Sequence, residues 1–139
     1  MSAYTTVNVV TYETAARAVA LTLEEGEKLG LKLCATVVDP FLGLVAYGRA
    51  DGMTPHSVET SKRKAQTAAS TRKPSAAILP ELATKLELGS GGILTSIAGG
   101  VPLSFDGVHV GGLGVAGGKP AEDAQVALAV IARLGADSQ

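Results

Sequence analysis

The chain has 139 residues, of which 46% are hydrophobic and 18% charged, with a formal net charge of -1. That balance excludes a disordered polypeptide and a polybasic nucleic-acid binder, and the length fits one ordinary domain over residues 1–139. Aromatic residues make up 4% and Trp is absent, while Gly (17) and Ala (22) fill 39 of the 139 positions, so the core must be Leu, Val, Ile and Ala with backbones in close approach.

From Tyr12 to Leu29, Ala16, Val19, Ala20 and Leu23 recur at helical spacing, with Arg17, Glu24, Glu25 and Lys28 elsewhere around the helix. This predicts an amphipathic helix with Thr11 as N-cap, Thr14 in the Glu position of a capping box and Gly30 at its end. Two β-rich runs follow, Leu31 to Asp39 and Leu44 to Arg49, joined by a turn containing Pro40 and Gly43, and they read as an antiparallel hairpin. Pro55 to Ser70 returns to helical spacing, and a shorter helix runs from Ala76 or Pro80 to about Leu88. Beyond the loop Gly89 to Gly92 the pattern is β again: Ile93 to Ala98, Val101 to Phe105 and Val108 to Val115, with Asp106-Gly107 as a hairpin turn. Ala121 to Leu134 closes the chain as an Ala-rich helix. Tight β connections make the sheet antiparallel, and the expected class is α+β in two layers.

Cys34 is the only cysteine, so an intrachain disulfide or a cysteine metal cluster is impossible; its apolar strand setting points to a buried, inert thiol. The N-terminus lacks a basic region followed by an apolar one, and no apolar run is long enough to span a bilayer. The expectation is a soluble, cytoplasmic protein with neither membrane nor nucleic acid as partner.

Two constellations can carry chemistry. Gly112, Gly114 and Gly117 form GxGxxG between a strand and a helix, but a dinucleotide-binding unit needs an acidic residue on a later strand, and only helix and tail follow Gly118. The glycines either let a strand pack closely on a helix or a subunit, or lend loop amides to a carboxylate or phosphate. The second constellation is Asp51 to Lys73. His56, Thr60, Lys64 and Thr67 share one helical face, with Asp51 in the preceding loop, and such a face can bind a carboxylate and move a proton. The competing reading is a solvated basic helix, because Lys62, Arg63 and Lys64 are consecutive and cannot all face inward. His109 reads as an exposed sheet residue, and no carboxylate pair marks a metal site.

The set VVDPFLGLVAYGRADG (Val37 to Gly52), Ser57, Lys64-Ala65, Thr67-Ala68, GGVPL (Gly99 to Leu103), GVHVGGLGVAGG (Gly107 to Gly118) and Asp123 resembles the GlcG/HbpS family. This is also called the haem-degrading-domain family and includes the C-terminal domain of PduO-type proteins. The resemblance implies a five-stranded antiparallel sheet with flanking helices, similar to profilin or PAS domains, assembled as a homo-oligomer, dimer or higher. Haem-binding relatives are expected to take an axial histidine from the first helix, and here none lies between Tyr12 and Leu29. His56 stands where the family usually has an apolar residue, and Ala116 where a serine is more frequent.

The first functional expectation is a small-molecule enzyme of catabolism without metal or cofactor. It would act on a small anionic metabolite, a carboxylate-bearing unsaturated amino or keto acid, by imine or enamine hydrolysis or by tautomerisation. His56, Lys64 and Asp51 are its candidate catalytic residues, and Arg49, Arg63, Arg72, Gly112, Gly114 and Gly117 its candidate substrate-binding residues. A lysine with its head in a pocket contributes little to a core, so Lys64→Met is expected to leave the fold intact. The alternative is a haem-binding or sensor module without catalysis, with His56 or His109 as the available ligand.

Overall fold

In the computed structural model, which describes residues 1–139, Thr11 starts α1 (Tyr12–Lys28) by accepting the Thr14 amide on Oγ1 at 3.2 Å. Gly30, at φ 72°, and a bond from Leu31 N–H to Gly26 O end it. The buried face is Ala15, Ala18, Val19, Leu21, Thr22 and Gly26, whereas Ala20 is exposed. With alanines all round the helix, periodicity alone misplaced the face by about one residue.

β1 (Cys34–Val38) and β2 (Leu44–Arg49) form the first hairpin; β3 (Gly100–Phe105) and β4 (Val108–Ala116) form the second. Asp106 and Gly107 turn the second hairpin with φ of 51° and 79°, the doubly positive geometry that favours an Asp-Gly pair. β4 also pairs with β1, giving an antiparallel sheet in the order β2-β1-β4-β3. The sheet therefore has four strands, not five. Ile93 to Ala98 forms no strand because its backbone is engaged elsewhere. Gln66 donates to Ile93 O at 3.2 Å, the Thr95 amide donates to Thr67 Oγ1 at 2.9 Å, and Ser75 Oγ donates to Ile97 O at 2.6 Å.

The strands sort their side chains by parity. Ala35 and Val37 of β1, Leu113 and Val115 of β4, and Val101 and Leu103 of β3 enter one core with α1 and α4 (Pro120–Leu134). On the other face, Cys34, Thr36 and Val38 meet α2 (Ser57–Thr71): Cys34 Sγ donates to Ser57 O at 3.1 Å and Thr36 Oγ1 lies 2.8 Å from Ser61 Oγ. Helices thus cover both faces, and the layers number three, where two were expected. A short 3-10 turn (Ser75–Ala77) leads to α3 (Pro80–Gly89), which buries none of its residues.

α2 lies directly on glycine backbone. A Cβ at Gly112 would sit 2.5 Å from Ala65 O, one at Gly100 would strike Lys64 O, and one at Gly114 would strike Ser61 O. The glycine run is a track for α2, which was one of its two sequence readings.

His109 is half-buried against the end of α2, where an exposed sheet position was expected. Its Nε2 lies 2.8 Å from Ala69 O; a carbonyl only accepts, so Nε2 carries the proton and Nδ1 is a buried lone pair without partner. Burial, with the charge of Arg72, holds this imidazole below the ordinary value. The unfolded chain then takes up the proton first, so the contribution is present above about pH 6.5 and is lost as pH falls below it. Urea titrations between pH 7 and 5 are expected to show falling stability with a shallower slope in His109→Gln; equal slopes would refute the assignment.

Candidate functional site

The N-terminal half of α2, the end of β4 and the start of α4 enclose a cavity of about 360 Å³. Thr54, His56, Ser57 and Thr60 line one side, and Ala116, Gly117, Gly118 and Pro120 another. Helix α2 begins at Ser57 because Pro55 stands just ahead of it and the Ser57 amide bonds to Thr54 O, with Thr54 Oγ1 and Ser57 Oγ 2.6 Å apart. His56 is its N-cap and makes no capping bond, which leaves the ring exposed at the cavity mouth.

Lys64 and Asp123, each 1% exposed, also line this cavity. Lys64 Nζ donates to Asp123 Oδ2 at 2.8 Å and to Val115 O at 2.8 Å, and Asp123 Oδ1 accepts the Gly118 amide at 2.9 Å. One ion pair thereby ties α2, β4, the Gly117-Gly118 loop and α4 together. Burial pushes the Lys64 ammonium down and the Asp123 carboxyl up, and each is countered by the charge of the other. Gly117, at φ 121°, has its Cβ position 2.5 Å from Lys32 O, so the loop holds its path only with glycine.

Of the residues singled out in the sequence, His56, Lys64 and Gly117 meet at this cavity. Asp51 and Arg49 line a separate shallow concavity in the loop before α2. Arg63 points away and pairs with Glu59 at 3.5 Å. Arg72 adopts αL geometry at the C-terminal cap of α2, about 24 Å along the helix from His56. Gly112 and Gly114 lie beneath α2 with their amides in a strand paired on both sides, so they offer no donor to the cavity. Asp123 entered the sequence reading only as a residue carrying the resemblance. Its pairing with Lys64 spans 59 positions, and no local pattern signals it.

Fold and site together define a small α+β domain that buries a Lys–Asp pair beneath a polar cavity at one end of an antiparallel sheet. The chain belongs to the HbpS-like family: residues 10–132 match the family described as haem degrading protein HbpS-like. It is similar to a double mutant of HbpS from Streptomyces reticuli, at 33% identity and TM-score 0.85 over 97% of this chain and 93% of that one. The fold is also that of Klebsiella pneumoniae ORFY, at 21% identity and TM-score 0.87 over 96% of each chain. A PduOC heme complex shares it too, at 21% identity and TM-score 0.86 over 94% of this chain and 99% of that one. No curated protein matches. No helix is long and apolar enough to cross a membrane.

Proposed function

We propose that the protein is a haem-binding module of the HbpS type, in which the cavity at the start of α2 takes one edge of the haem and His56 ligates the iron. The observation that carries this reading is the free imidazole of His56 at the cavity mouth, with no hydrogen bond to either ring nitrogen. His109, by contrast, is committed to Ala69 O. Membership of a family described as haem degrading, and likeness to a PduOC heme complex, support it. The donor set fits the polar edge of the group: Thr60 Oγ1 is spent on His56 O, but the Thr54–Ser57 hydroxyl pair uses one proton internally and keeps the other to donate to a propionate. Ile97 and Ala116 are the main apolar walls, too few to enclose a macrocycle, so the complex is weak. When bound, haem supplies an iron centre open to redox change or to a gaseous ligand. Hemin titration is expected to shift the Soret band with half-saturation at roughly micromolar concentration. His56→Ala is expected to weaken binding about tenfold and abolish the histidine-ligated spectrum, while His109→Ala keeps both. An unchanged spectrum in His56→Ala would sink the proposal.

A second reading, a small-molecule enzyme acting on an anionic unsaturated amino or keto acid, is favoured by Lys64, whose ammonium engages two acceptors of the three it can serve. The remaining donor suits a substrate carboxylate, with His56 as the proton carrier. In either reading the chain is proposed to work as a homo-oligomer, which the exposed Leu79, Leu82 and Leu88 in and beside α3 support.

A further inference from the structure

We propose that the cleft between the β1–β2 hairpin and the outer side of α2 is a second binding site, one for a small apolar carboxylic acid. The cleft has a volume of about 310 Å³, within the size range of small-molecule sites, and its walls are Val38, Leu42, Leu44 and Val58. It is distinct from the His56 cavity, which lies along Ser57, Thr60 and Lys64, whereas Val58 and Lys62 border the cleft.

Three observations define the occupant. First, the apolar walls are unfilled: Leu44 and Val58 stay exposed, although both belong to regular elements and border the recess. Leu42 holds φ 70° in the hairpin turn, a geometry costly for a branched side chain, and packs from there on Val38, Ala65 and Ala69, forming one wall. Second, the charge is one-sided. No acidic residue lines the cleft, and Lys62 makes no ion pair, while its neighbours Arg63 and Lys64 are paired with Glu59 and Asp123. Third, the polar groups sort into one satisfied and one free. Thr36 at the floor is bonded to Ser61, but the hydroxyl of Tyr47, a side chain left 38% exposed, has no protein partner and is free to donate. A ligand with an apolar body and one carboxylate at the Lys62–Tyr47 end fills the walls and meets both free donors. A neutral body loses the ammonium, and a cation is repelled by it.

The test is calorimetric or NMR titration of the intact protein with phenylacetate and hexanoate against their neutral isosteres, phenylacetamide and hexanamide. At least one acid is expected to bind, about fivefold more tightly than its amide, with cross-peak shifts at Tyr47 and Val58. Lys62→Gln should erase that preference, Val58→Asp should abolish binding, and His56→Ala should leave binding unchanged. The inference is overturned if neither acid binds at millimolar concentration, if amides bind as well as acids, or if His56→Ala removes binding. Because the proposed haem site is probed through His56, its failure leaves these measurements unaffected.

Discussion

Replacing Lys64 with Met is expected to destabilise the protein by about 3–5 kcal/mol, because it leaves the Asp123 carboxylate buried without its counter-charge. This reverses the expectation drawn from the sequence, that a lysine with its head in a pocket contributes little to the core. In the fold its side chain is among the largest fully buried ones, and its ammonium joins β4 to α4. Methionine matches the aliphatic stem, so the loss measures the pair and not a hole. The control is Lys64→Met combined with Asp123→Leu: with both charges removed, most of the lost stability should return, since a buried ion pair replaced by apolar groups is often neutral. Urea unfolding followed by circular dichroism reads both variants, and a drop of roughly 10 °C or more in the single variant's melting temperature is the thermal counterpart. A single variant within about 0.5 kcal/mol of the parent would mean that the pair contributes no more than an exposed one.

That reversal shows where sequence patterns stop. Lys62, Arg63 and Lys64 are equivalent as a string, and only the position of the sheet decides that Lys64 turns inward while its neighbours remain at the surface. Its partner lies far away in sequence on another helix, so spacing could not connect them. Elements written in local chemistry were legible: Thr11 as cap, Gly30 as stop, Asp106-Gly107 as turn, and the helical spacing of α2 and α4. The absent fifth strand was not. Ile93 to Ala98 has strand composition, yet Gln66, Thr67 and Ser75 take over its backbone bonds, and such competition depends on tertiary placement. His56 and Lys64 were legible as one helical face meeting the glycine loop, whereas Arg49, Asp51, Arg63 and Arg72 were grouped with them by nearness in sequence and diverge in space.

Gly114→Ala is expected to cost more than about 4 kcal/mol, or to prevent folding, the largest effect of any single added methyl in this chain. The added Cβ would collide with Ser61 O and come within 2.6 Å of the Ala65 amide, both backbone atoms of α2, so no side-chain rotation relieves the overlap. α2 would have to lift from the sheet, breaking Thr36–Ser61 and Cys34–Ser57, which tie it to β1, and Lys64–Asp123, which ties it to α4. The comparison is Gly89→Ala at the end of α3, where a Cβ meets nothing within 4 Å. There alanine adds helix propensity and should be neutral or stabilising by up to about 0.5–1 kcal/mol. Chemical denaturation of the two variants in parallel separates a packing requirement from a general intolerance of glycine replacement. If Gly114→Ala unfolds like the parent, the helix is not seated on the glycine track, and the depth of the Lys64 side chain, which depends on that seating, loses its basis as well.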